Sequence, residues 1–183
     1  ETAIGAYAVA RKTADFVLKR MPDDDAFWPA TTARDGSPLE FPNAPNYGRP
    51  SIYGDLFIAT GLAEYSRIEG RGACWDLAKR ILLKCLAIYD TRPGYGSLPA
   101  ADGAPAVDAP RILGHWMILL RLATDLLTSR ADPEVEAVAL RCRTAVMEHH
   151  ADPETGLLHE YLNHDLSRIG SGYGEILLGH GPE

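Results

Sequence analysis

The stretch RILGHWMILLRLATDLLT, residues 111–128, decides the fold. Ile112, Leu113, Trp116, Met117, Ile118, Leu119, Leu120, Leu122, Leu126 and Leu127 cover nearly the whole circumference of the helix that this stretch predicts. A helix that is apolar almost all round must be enclosed by other elements. The longest uninterrupted apolar run of the chain, Trp116 to Leu120, is far short of the ~20 residues needed to cross a bilayer, so protein has to do the enclosing. Arg111 and His115 fall one helical turn apart on this helix and share a face. Buried polar groups are costly unless they are partnered. The pair therefore either lines a wet cavity, marks a rim where the helix begins, or is a satisfied structural pair.

The flanking sequence supplies the enclosing helices. From Trp75, the residues Ala78, Leu82, Cys85 and Tyr89 recur at spacings of three and four, with Ile81 and Ile88 widening the stripe, which predicts a helix over 73–90. Residues 55–69 carry Ile58, Leu62, Tyr65 and Ile68 on one face, and Gly70-Arg71-Gly72 then ends the helix and turns the chain. These two helices should form an antiparallel pair. Asp132-Pro133-Glu134 is a helix start, with a capping side chain, proline at the first position and acid at the positive end of the dipole. Val135, Val138, Cys142, Ala145 and Val146 form its inward stripe. At the other end of the chain, residues 2–20 predict a helix with Ala6, Val9, Ala10, Thr13, Phe16 and Val17 facing inward.

Between helices the pattern changes. Asp35-Gly36 between apolar segments signals a hairpin, and Leu157 to Leu162 followed by Asn163-His164-Asp165 reads as a second short strand and turn. In both places a helix ends, a Pro/Asp turn follows and a strand begins, at an offset of about 131 residues, which is a repeat of architecture rather than of side chains. Helix pairs joined by hairpins on one rim describe an α/α toroid. Residues 91–110, rich in Gly, Pro and Asp, form a rim loop too long for a simple connector.

The balance of 46% hydrophobic to 23% charged residues over 183 positions is that of a globular domain. Eighteen basic residues against 25 acidic ones leave a net charge of −7, the wrong sign for tracking a nucleic-acid backbone or an anionic membrane surface. Three cysteines, Cys74, Cys85 and Cys142, are an odd number without zinc-ligand spacing, and we expect reduced, buried thiols in a cytoplasmic protein. The sequence opens on Glu1 and stops at Glu183 in what reads as the first turn of a helix, so a partial domain truncated at both ends is expected over 1–183.

No phosphate-cradling glycine loop, Gly-x-Ser-x-Gly elbow or His-Glu-x-x-His pair occurs. Five of the six histidines crowd the last 35 residues: His149, His150, His159, His164 and His180. A metal site from His159, Glu160 and His164 is disfavoured because strand-and-turn spacing does not converge the side chains. His149, His150 and His164 read as solvated. His180 and Glu183 stand three apart at a helix start between glycines, which places both on one face. A histidine with a carboxylate neighbour suits general acid/base work.

Several of these stretches together resemble the N-acylglucosamine 2-epimerase family, which also holds cellobiose 2-epimerases and aldose-ketose isomerases. RPSIYGDLFIATGLAEY, residues 49–65, is similar to its Tyr-x-x-x-Phe…Ala-Leu-x-Glu helix. Phe27-Trp28-Pro29…Arg34-Asp35-Gly36 is similar to its early hairpin, Trp116 to Leu122 to its Pro-Met-x-Leu-Leu helix, and His159-Glu160-Tyr161 to the strand bearing a Glu. Leu178 to Glu183 resembles its Pro-Gly-His-x-x-Glu motif, with Leu178 in place of proline and Pro182 inside the x-x pair.

The resemblance implies an all-α (α/α)6 barrel, about half of it present, with short β-hairpins on the rim and a sugar in the central cavity. It implies proton removal and return at C2 of an open-chain sugar by two histidines. His180 would be one of them and Glu183 its neighbour, with Tyr53, His115 and Glu160 lining the substrate cavity. The second histidine and the family's early arginine would lie outside residues 1–183, so these residues alone are expected to be inactive. We expect a small-molecule sugar as partner, no nucleic acid, no membrane and no cofactor or metal; a homodimer is compatible with this. A glycoside hydrolase or lyase on the same barrel, using carboxylates such as Asp102, Asp108, Glu160 and Glu183, is the alternative. A non-catalytic helical-repeat binding module is the other.

Overall fold

The computed structural model describes residues 2–22, 26–29, 31–39, 52–91, 97–98 and 107–170. The chain forms two compact units, residues 1–85 and 86–183.

In the first unit, α1 (Thr2–Leu18) packs on α2 (Ile52–Glu69), and α3 (Gly72–Thr91) begins two residues after α2 ends. The turn between α2 and α3 is made as the sequence predicts. Gly70 takes a left-handed φ of 67°, and its N–H bonds back to the Ser66 carbonyl at 2.8 Å. Only glycine does this without Cβ strain. Asp55, in the first turn of α2, meets Lys84, in the fourth turn of α3, which makes the pair antiparallel.

That ion pair also holds the segment before the hairpin. Asp55 is fully buried; its Oδ2 accepts from Lys84 Nζ at 2.5 Å and its Oδ1 from the Trp28 backbone N–H at 2.8 Å. Lys84 donates in addition to the Ala26 carbonyl at 2.9 Å and lies 5.3 Å from the Phe27 ring centre. A buried charge pair is tolerated only when its remaining valences are met, and here residues 26–28 meet them. The hairpin itself is present: the Ala33 and Leu39 N–H groups bond to Ser37 and Thr31 carbonyls, around Gly36 at φ 88°.

The inward face expected for α1 is not inward. Ala6, Val9, Ala10 and Thr13 are exposed, Phe16 and Val17 are half-buried, and Ala14 is the only buried residue among 5–18 of this helix. α2 differs in the same sense: Leu62 and Tyr65 are buried, but Ile58 is half-buried and Ile68 exposed, while Ile52, Leu56, Ala59 and Ala63 form the rest of its buried side. The apolar periodicity is real in both helices, but among the described residues it is only partly covered. What remains between α1 and α2 is an open apolar groove of about 460 Å³, lined by residues such as Ala14, Val17, Phe57, Ile58 and Ile68.

In the second unit, β1 (Ser97–Leu98) pairs antiparallel with β2 (Val107–Asp108), a hairpin within the long rim loop. β3 (Arg111–Ile112) leads directly into α4 (Leu113–Ser129), which packs against α5 (Pro133–Thr144). α4 is enclosed as its sequence requires: Leu113, Trp116, Leu119, Leu122, Ala123 and Leu126 have essentially no exposed surface. α5 starts at the predicted cap, where Asp132 Oδ1 accepts from the Glu134 and Val135 N–H groups, both at 3.1 Å. Val135, Val138, Cys142 and Ala145 are buried and Val146 half-buried.

α5 runs into a π-helical turn, Ala145–His150, before the chain enters β4 (Tyr161–Leu162). The wider turn, with bonds between residues five apart, brings His150 into register with Ala145 and fully buries it. The solvated reading of His150 is thereby corrected; His149 is exposed as expected, and His164 is half-buried. β4 pairs with β3 in the register Arg111↔Leu162 and Ile112↔Tyr161. Arg111 is therefore a strand residue and not on the helix of His115, because the β3 backbone is drawn into this ladder and Ile112 caps the helix in an extended conformation. No helix among the described residues is long and apolar enough to cross a membrane.

Candidate functional site

Of the residues singled out from the sequence, His180 and Glu183 lie outside the described residues, as does Asp102. Tyr53 is on α2 in the first unit, half-buried, its ring stacked 6.3 Å from that of Phe57. His115 and Glu160 belong to the second unit, where the backbone of Glu160 meets the start of the helix that carries His115. Glu160 precedes β4, and its carbonyl accepts from the N–H of Leu113 at 2.8 Å, the first residue of α4; His115 stands two residues further on. His115 is 6% exposed and Glu160 5%.

Tyr89, near the end of α3, organises this corner. Its hydroxyl accepts from the Ile112 N–H at 3.0 Å. The His115 ring meets its ring edge-on, with centroids 5.2 Å apart, and the Trp116 ring does so at 5.3 Å. Over its face lies the Arg111 guanidinium, 4.4 Å from the centroid, a favourable cation–π arrangement when desolvated. Arg111, 5% exposed, donates from Nη1 to the Tyr89 carbonyl and from Nε to the His164 carbonyl, both at 3.0 Å. Its Nη2 reaches Asp90 Oδ1 and His164 Nε2, each at 3.3 Å.

Charge in this corner is closely balanced. Asp90 is shared between Arg111 and Arg141, whose two terminal nitrogens hold it at 2.6 and 2.7 Å. Burial alone would raise the Asp90 carboxyl, but the hydrogen bonds and charge of Arg141, joined by Arg111, bring it below the ordinary range. His115 is pushed down to about 4, first by burial and then by the charge of Arg111. It is a neutral imidazole near pH 7, offering one N–H and one lone pair, suited to a hydroxyl rather than to an anion. Burial, followed by the charge of Glu160, raises the neighbouring Tyr161.

A second histidine group sits on the hairpin after the π turn. His150 Nδ1 bonds to the His159 carbonyl at 2.6 Å, and burial pushes His150 down to about 4 against the pull of that bond. His159 contacts Arg168 and lies 3.7 Å from Asp152. His159 thus turns to Asp152 and Arg168 and His164 to Arg111 and Ala109, and among the described residues no three His, Cys, Asp or Glu side chains gather as metal ligands. Three members of the corner were not singled out from the sequence as site residues: Tyr89, Asp90 and Arg141. Tyr89 reads there as part of the apolar stripe of the 73–90 helix, Asp90 only as the end of that helix, and Arg141 is not singled out.

The architecture is predominantly helical, a partially formed fold of the α/α-toroid kind with small rim hairpins, consistent with a partial barrel. It is related in fold to sugar epimerases. The structure of a cellobiose 2-epimerase from Bacillus thermoamylovorans B4167 matches with a TM-score of 0.57 at 16% identity, over 74% of this chain and 36% of that one. A sugar epimerase from a ruminal bacterium matches with a TM-score of 0.60 at 15% identity, over 86% of this chain and 41% of that one. The chain thus spans well under half the length of either. No protein-family model matches the sequence, and no curated protein matches it significantly.

Proposed function

We propose that the chain is part of a carbohydrate epimerase or isomerase that removes and returns the proton at C2 of an open-chain sugar. The observation that carries this reading is the likeness of fold to two sugar epimerases, which in one case extends over 86% of the chain. The order of the sequence motifs supports it independently. The C1 carbonyl acidifies the C2 proton; its removal leaves an enediolate, which donors nearby must stabilise. Return of the proton to the opposite face of C2 gives the epimer, and its return to C1 gives the ketose.

In this proposal His180 is the acid/base and Glu183 the carboxylate that orients it, while Tyr53, His115 and Glu160 contact the sugar. Neutral His115 and buried Glu160 supply paired donor and acceptor capacity of the kind that reads hydroxyls. No cofactor enters the scheme.

The test is exchange of the C2 proton in deuterated water, with cellobiose, mannose and N-acetylmannosamine as substrates. Because residues 1–183 alone are expected to be inactive, the reading requires deuterium at C2 with the full-length protein that contains them, and its loss on His180→Ala in that protein. Release of reducing sugar from oligosaccharides without any C2 deuteration would overturn it.

A further inference from the structure

We infer that Arg111 is a positioning residue for this sugar site, holding His115 and Glu160 in a fixed relation through other groups rather than by touching the ligand. The inference rests on the proposed role of those two residues. Arg111 has little left to offer a ligand: it is 5% exposed, and all three guanidinium nitrogens are engaged, with Tyr89, Asp90 and His164.

Two routes lead from it to the site. Through the first, Arg111 fixes Tyr89 by its carbonyl and by stacking on its face, and the edge of that same ring is what His115 packs on. Through the second, Arg111 and its neighbours tie down residues 160–164 at both ends. The Leu113 N–H holds the Glu160 carbonyl at one end, Arg111 Nε holds the His164 carbonyl at the other, and the ladder of Arg111–Ile112 with Tyr161–Leu162 lies between. A planar fork of fixed donors is what such a junction of three segments needs. Asp90, itself anchored by Arg141, balances the charge so that the guanidinium can stay buried.

Arg111→Lys retains the charge without the fork, and Arg111→Met retains only the stem. Both are read by C2 proton exchange at varied cellobiose concentration, and by amide hydrogen exchange across 160–164. The comparison is Val138→Ala, which thins the buried side of α5 without removing a hydrogen bond or ion pair of this corner. We expect KM to rise in both Arg111 variants, by up to about a hundredfold in Arg111→Met, the order that an ångström of misplacement costs. kcat should fall much less, because a displaced contact loses ground-state and transition-state binding alike. Protection at 160–164 should drop with it, and Val138→Ala should change neither at a similar loss of stability.

Equal KM shifts in Val138→Ala and the Arg111 variants would overturn the inference, as would an unchanged KM in Arg111→Met. These variants are made in the full-length protein that contains residues 1–183, and if that protein shows no C2 exchange, it is the proposed function that falls. Amide exchange then judges the clasp alone: selective loss of protection at 160–164 in Arg111→Lys supports it, and loss matched by Val138→Ala refutes it.

Discussion

The α1–α2 pair of the first unit and the α4–α5 pair of the second are both packed helix pairs, yet they bury their apolar side chains to very different degrees. α4 buries Leu113, Trp116, Ile118, Leu119, Leu122 and Leu126 and leaves Met117, Leu120 and Leu127 half-buried, and Val135, Val138 and Cys142 of α5 are buried. α1 buries Ala14 and leaves Val9 64% exposed, while α2 leaves Phe57, which lines the groove, 65% exposed. The first unit is held instead by α2, α3 and the Asp55–Lys84 pair that fastens residues 26–28. An apolar stripe therefore says that a helix has something to bury, not that the partner is at hand.

The sharpest way to break this comparison is by truncation. Leu122→Ala, from a site with no exposed surface, should cost about 2–5 kcal/mol, whereas Ile68→Ala on the open groove should stay within about 0.5 kcal/mol. Denaturant unfolding of the two variants decides it, and equal losses would show the groove to be covered.

Acid gives the next largest difference, because all six histidines fall in residues 86–183. His115 and His150 are both pushed down to about 4 by burial, so between pH 6.5 and 4 the unfolded chain binds protons that the folded chain does not. Stability should fall as pH drops through that window, by about 3 kcal/mol for each histidine, and flatten below it. Proton-detected titration of the two rings together with unfolding curves at stepped pH would check this; residues 1–85 should share none of this histidine term.

The smallest effect sharpens rather than breaks the contrast. Asp132→Ala removes the acceptor for two N–H groups at the start of α5 and should cost about 1 kcal/mol, seen as a modest fall in the unfolding midpoint.

What the sequence disclosed follows the range of the forces involved. The α3 stripe from Trp75 to Tyr89, the Asp132 cap and the Gly70 turn were legible because each is fixed by residues within one or two turns. Arg111 was not legible as a strand. Its partner, Leu162, is 51 positions away, and a two-residue strand has no period to detect. His150 reads as solvated because nothing in a one-dimensional pattern marks where an α-helix widens into a π turn. At the site, His115 stood out as a polar residue on an apolar helix and Glu160 through the family resemblance, and both are buried. The guanidinium junction behind them was hidden because it joins three segments distant in sequence.

The three cysteines give these differences a clock. Cys74, Cys85 and Cys142 are all free and buried, and burial raises Cys85 and Cys142 to about 12. A thiol reagent attacks only the thiolate, so at neutral pH each sulfur should be silent until its surroundings open. Cys85 then times openings of the first unit and Cys142 those of the second. The rates of alkylation at these two positions, followed in one sample by mass spectrometry, would report whether the two halves of the chain breathe together or apart.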